Sequence, residues 1–127
     1  MTSMQRSLLI LLVCVLFSAP AQEDLLVPTE KIGFDPARIG DDGLYGPPDG
    51  LRAMDYELCI PAAAEEMEEV AAIDASVRFY SRARGRVGCR VDQVLVLGNT
   101  HQLGFRDVLS ALAELPYVER IEPAWFE

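Results

Sequence analysis

From Leu51 onward the spacing of apolar residues switches repeatedly between two and about 3.6, and that switching leaves few folds open. Met54 to Ile60 alternates, with Tyr56, Leu58 and Ile60 on one side and Asp55, Glu57 and Cys59 on the other, as in a strand with one buried face. Pro61 suits the opening of a helix, where its missing N–H is not needed. Residues 62–73 then carry Ala63, Met67, Val70 and Ala71 at helical spacing, and Glu65, Glu66, Glu68 and Glu69 lie toward the positive end of that helix's dipole. Val77 to Ala83 alternates again, with Val77, Phe79 and Ser81 opposing Arg78, Tyr80 and Arg82. A Gly- and Arg-rich connection, 84–90, leads into Val94-Leu95-Val96-Leu97, a continuous apolar run suited to a central strand that ends at Gly98-Asn99-Thr100. Phe105, Val108, Leu109, Leu112 and Leu115 form a helical stripe that stops at Pro116, and Tyr117 to Glu122 reads as the last strand.

The order strand, helix, strand, strand, helix, strand predicts an α+β domain over 51–127, a ferredoxin-like βαββαβ two-layer sandwich with both helices on one face of the sheet. In this expectation the first and third strands are central and parallel.

Upstream, the first 21 residues have the layout of an export signal. Arg6 is the positive start, Ser7 to Phe17 is almost wholly apolar, and Ala19-Pro20-Ala21 supplies small residues for cleavage. The apolar run is too short to cross a bilayer, which takes about 20 residues. Residues 22–50 mix Pro28, Pro36, Pro47 and Pro48 with Gly33, Gly40, Gly43, Gly46 and Gly50 and show no sustained apolar period, which predicts a flexible arm. Pro47-Pro48-Asp49-Gly50 is a strong turn signal and marks the expected domain boundary. Leu25, Leu26, Val27 or Phe34 would be the arm's docking residues if it folds on a partner.

The chain carries 20 acidic against 11 basic residues, a formal charge of −9. Removing 1–21 takes away Arg6 and no acid, so the exported chain is more acidic still. That balance argues against a general grip on nucleic acid phosphates and against an anionic lipid surface, and favours proteins, cations or basic peptides. One local asymmetry runs the other way: Arg78, Arg82, Arg84, Arg86 and Arg90 cluster within a short stretch. The cluster is either a solvated hairpin or a surface for an acidic partner, including the acidic helix of a second copy.

Of the three cysteines, Cys14 falls in the signal, which leaves Cys59 and Cys89. An even pair in an exported chain reads first as a disulfide, and closing a loop of about 30 residues stabilises by roughly 3–4 kcal/mol. With parallel first and third strands, however, Cys59 and Cys89 fall at opposite sheet ends, so the 84–90 connection must fold back across the open face. The other reading uses thiolates: Cys59 and Cys89 with His101, expected at the same sheet end as Cys59, form a set that suits copper(I) or zinc in metal or redox work. Gly-rich phosphate loops, paired catalytic carboxylates and serine-hydrolase elbows do not occur in the sequence, so neither an enzyme nor a cofactor is expected.

The stretch Leu109-Ser110-Ala111-Leu112-Ala113-Glu114-Leu115-Pro116-Tyr117-Val118-Glu119-Arg120-Ile121-Glu122-Pro123 resembles the end of the inhibitor I9 family, the propeptide domains of subtilisin-like proteases. The resemblance implies a ferredoxin-like fold that docks on a serine protease and places its C-terminal tail in the substrate cleft. That tail corresponds to Pro123, Ala124, Trp125, Phe126 and Glu127. The leading expectation is therefore a secreted or periplasmic, non-catalytic protein-binding module that inhibits a subtilisin-type protease, with the thiol and imidazole site as the alternative.

Overall fold

The computed structural model describes residues 29–124, within which the periodicities become short strands and two α-helices. Strands β1, Leu44–Tyr45, and β2, Arg52–Ala53, form a small hairpin. They are followed by β3, Asp55–Pro61; α1, Ala64–Ile73; β4, Arg78–Tyr80; β5, Gln93–Asn99; α2, Phe105–Glu114; and β6, Ile121–Pro123. Single 3-10 turns lie at Thr29–Lys31 and Pro36–Arg38. The chain is thus mixed helix and sheet, an α+β arrangement. The expected export signal at 1–21 and the residues Leu25, Leu26 and Val27 lie outside the described residues.

The larger sheet has the order β4-β5-β3-β6, and every pairing in it is antiparallel. This corrects the expectation of a parallel β3 and β5. Helix α1 carries the chain back so that β4 runs in the same sense as β3, and β5 then turns against β4. A strand antiparallel to β4 must oppose β3. The register sets Tyr56 opposite Gly98, Leu58 opposite Val96 and Ile60 opposite Val94. These residues share the face on which Val70 of α1 and Phe105, Leu109 and Leu112 of α2 are buried. Gly98 is required in this layer, because a Cβ there would fall 2.3 Å from the Tyr56 ring.

Two strands are shorter than their alternation predicts. β4 ends at Tyr80 because the chain leaves the sheet at Arg82, whose φ of 65° is left-handed. After Pro116 the chain makes a turn, closed by Val118 N–H donating to Leu115 O at 3.1 Å, before it pairs at Ile121.

The segment 22–50, expected to be a flexible arm, is docked on the domain through Ile32, Phe34, Ile39 and Gly43, while 46–50 is exposed. Ile32 bridges Ile121 beside β6, and Gly33 N–H donates to Ile121 O at 2.8 Å. Ile39 is 2 % exposed, and the Phe34 ring stacks at 6.5 Å on Tyr56. The Lys31 ammonium donates to the carbonyls of Ala113 at 2.8 Å and Leu115 at 3.3 Å, at the negative end of α2. Arg106 of α2 reaches back to the carbonyls of Pro36 and Ile39 and to the Asp41 carboxylate. The expected boundary at 47–50 is the turn of the β1–β2 hairpin, where Gly50 N–H donates to Pro47 O at 2.8 Å, so the segments on either side pack as neighbours. Gly43, at φ 81°, lies where a Cβ would meet Thr100 O at 1.8 Å; that approach lets Thr100 Oγ1 donate to Gly43 O while accepting from Met54 N–H.

Candidate functional site

Alternation along the strands leaves a second sheet face, away from the helices, bearing Asp55, Glu57 and Cys59 of β3, Leu95, Leu97 and Asn99 of β5, and Arg78 and Tyr80 of β4. The connection 81–92 folds back over part of it. It is pinned by the Cys59–Cys89 disulfide, with Cα atoms 5.3 Å apart. The opposite-ends objection to this bridge disappears with the antiparallel pairing. Cys59 is registered with Leu95, near the start of β5, and Cys89 lies four residues before that strand begins. The connection still crosses the open face, because Cys59 projects there rather than toward the helices.

Left-handed backbone at Arg82, Gly85 and Gly88 makes the fold-back sharp. At Gly85 a Cβ would lie 2.7 Å from Leu95 Cδ1, so the chain there passes directly over the sheet. Val87, Cys89 and Leu95 are buried together, with Cys59, Ala83 and Leu97 packed around them. Beneath this lid Glu57 is 5 % exposed, and its carboxylate accepts from Val87 N–H at 2.7 Å, while Arg120 donates to Val87 O. The Val87 backbone is therefore held at both its N–H and its carbonyl.

The rest of the face stays open. It forms a groove of about 1070 Å³ whose lining includes Leu95, Leu97, Tyr80, Arg78, Asp55 and Asn99. One wall is fixed by a polar network around the fully buried carboxylate of Asp74. Tyr56 OH donates to Asp74 Oδ2, while Ser76 N–H (2.9 Å), Ser76 Oγ (2.6 Å) and Gln102 Nε2 (3.0 Å) donate to Oδ1. Ser76 Oγ accepts from Asn99 N–H at 2.9 Å, and Asn99 Nδ2 donates to Asp55 Oδ1 at 2.6 Å. Burial first, and then the adjacent Asp74 carboxylate, push the Tyr56 phenol well above its ordinary value. Ser76 Oγ also accepts from Gln102 Nε2 at 3.1 Å, so its proton and both acceptor positions are engaged and the network holds the wall.

The expected site residues are distributed as follows. Cys59 and Cys89 are joined to each other, so their sulfurs are not available as thiolates. His101 is at the opposite end of the sheet from Cys59, not at the same end: it follows β5 where Asn99 is registered with Asp55. Its Nδ1 lies 3.1 Å from Asp42 O, an acceptor, which places the proton on Nδ1. The expected cysteine–imidazole set is therefore not assembled, and among the described residues no cluster of three or more His, Cys, Asp or Glu is arranged to hold a metal ion. Pro123 is paired with Tyr56 in the sheet, and Ala124 N–H donates to Asp55 O at 2.8 Å while its side chain lines the groove. Trp125, Phe126 and Glu127 lie outside the described residues.

Sequence reasoning passed over Asp74, Ser76 and Gln102. The one available signal was Asp-x-Ser directly after a helix, a pattern that closes turns through the Asp side chain. Among the described residues no helix is long and apolar enough to cross a membrane. A scan against protein-family models gave no match, and searches of curated proteins and of solved structures gave none either.

Proposed function

We propose that this protein is a non-catalytic protein-binding module of ferredoxin-like layout that works outside the cytoplasm and engages its partner through the open sheet face. The observation that carries the reading is the groove. Its apolar floor is Leu97, half-buried beyond the lid that covers Leu95, and it is rimmed by charged groups and walled by a rigid network. Pockets with apolar floors and few fixed polar groups are where partners dock. Supporting the layout, two helices share one face and the strand order β4-β5-β3-β6 puts the first and third strands of the βαββαβ pattern in the centre. Supporting export, the disulfide suits an oxidising compartment, as does the signal-like pattern of residues 1–21.

A subtilisin-type protease is the partner class favoured by the 109–123 pattern, and Ala124 lines the groove, so the residues after it start from the docking face. Because Pro123 and Ala124 are tied into the sheet, cleft contacts in this reading begin at Trp125. The test titrates the intact protein, a Leu97→Asp variant and a chain lacking 125–127 against a subtilisin-type protease with a chromogenic substrate. Saturable inhibition by the intact chain, reduced at least roughly tenfold by Leu97→Asp at unchanged circular dichroism, is expected; tenfold is about 1.4 kcal/mol of binding. Inhibition indifferent to Leu97→Asp overturns the docking face. No inhibition by the intact chain overturns the protease reading.

A further inference from the structure

Between Ala75 and Val91 the chain holds five arginines and no aspartate or glutamate, inside a protein of formal charge −9. The structure places this segment as β4, at one border of the sheet, and as the lid that folds from it over the open face. Arg90 lies near Asp92 and Glu119, and Arg86 has an interaction of its own. Arg78, Arg82 and Arg84 are exposed, and among the described residues no carboxylate stands within ion-pair distance of them. Arg78 borders the groove whose floor is Leu97 and whose outer wall is Tyr80, 42 % exposed, and Arg82 and Arg84 follow β4 in the connection.

The two borders of the sheet are treated differently. Beyond β6, Ile32 and Gly33 cover the edge. Beyond β4 no strand is paired among the described residues, so the outward backbone groups of Arg78–Tyr80 are open to another chain.

We infer that β4 accepts an extended acidic segment of a partner protein as an added strand, with its carboxylates on Arg78 and Arg82 and an aromatic side chain between them at the groove beside Tyr80. The inference rests on the protein-binding reading above and specifies the partner's chemistry. Side chains on one face of a strand recur every second residue, so a segment that places an acid beside Arg78 and an aromatic beside Tyr80 has the pattern acid-x-aromatic-x-acid. The β4 segment of a second copy does not satisfy it, because residues 75–91 supply arginines and no carboxylate to meet them. A polyanion such as nucleic acid fits poorly, since an apolar floor gives phosphates no donors and the remainder of the protein repels them.

The experiment uses the full oxidised chain and two fluorescein-labelled heptapeptides, Thr-Glu-Thr-Phe-Thr-Glu-Thr and its counterpart with Lys for Glu. The acidic pattern is palindromic, so it serves either strand direction. Fluorescence anisotropy is expected to show saturable binding of the acidic peptide alone, weakened by raising salt from about 50 to about 300 mM as exposed charges are screened. Arg78→Glu with Arg82→Glu, both on exposed side chains, is expected to weaken it by roughly tenfold or more. Hydrogen exchange is expected to slow within Arg78–Tyr80 on binding. Equal binding of the two peptides, indifference to the arginine reversals, or binding without protection at Arg78–Tyr80 overturns the inference, as does heparin binding while the acidic peptide fails. If Leu97→Asp impairs protease inhibition but the acidic peptide does not bind, the docking face stands and the acidic-strand inference falls. If Leu97→Asp alters neither, both fall.

Discussion

Replacing Cys59 and Cys89 together by alanine tests how the lid is held. The bridge joins residues separated by 30 positions. Loop-closure entropy for a span of that length corresponds to about 3.7 kcal/mol at 25 °C, by which the denatured chain gains freedom when the link is removed. On the native side the lid keeps the Glu57–Val87 hydrogen bond and the packing of Val87 on Leu95, so the folded state should survive and the loss should lie close to the entropic figure. For a domain of this size that lowers the melting temperature by roughly 15–30 °C. Urea unfolding followed by circular dichroism reads both quantities of interest: the free energy falls by about 3.7 kcal/mol, and the slope against urea rises because an unlinked denatured chain exposes more surface. A loss below about 1 kcal/mol refutes the reasoning, since the denatured chain would then already be restrained without the link.

Tyr56→Phe removes a donor from the buried Asp74 carboxylate and should cost about 2 kcal/mol in urea unfolding at pH 7, within the range for hydrogen bonds to charged groups. The same substitution alters the alkaline limb. The Tyr56 phenol is raised in the folded state, so its contribution is full below the unfolded value of about 10 and is lost as pH climbs through the higher folded value. Stability of the parent should therefore fall from about pH 10 upward and that of Tyr56→Phe should fall less, Tyr117 leaving some slope in both; identical slopes would count against the burial argument. Lys31→Met removes the cap on the last carbonyls of α2 and should cost about 1 kcal/mol while speeding proteolysis between Ile32 and Asp42; unchanged cleavage would show that the segment is held without it.

Much of the framework was legible in the amino-acid order. Tyr56, Leu58 and Ile60 announce their shared face by alternation, and Phe105, Leu109 and Leu112 announce theirs by helical spacing, because each period is a local consequence of backbone geometry. The cysteine pair could be matched by counting once Cys14 was assigned to the signal. The docking of Ile32, Phe34 and Ile39 was not legible, since apolar residues that fill gaps singly have no period and lie among the prolines and glycines that elsewhere mark a loose chain. The Asp74 network was hidden for a similar reason: Tyr56, Asp74, Asn99 and Gln102 come from separate parts of the chain and meet only after the sheet has formed.

What the sequence determined by itself is therefore local: where strands and helices form, which side of each is apolar, and that one segment concentrates arginine without any acid. What only the tertiary structure decided is relative. The sense of β5 against β3 put Cys89 beside Cys59 and moved His101 to the far end, and the side chosen by Cys59 sent the lid over the open face. These outcomes depend on how α1 returns the chain and on which edges remain unpaired, and such long-range pairings leave no trace in the spacing of neighbouring residues.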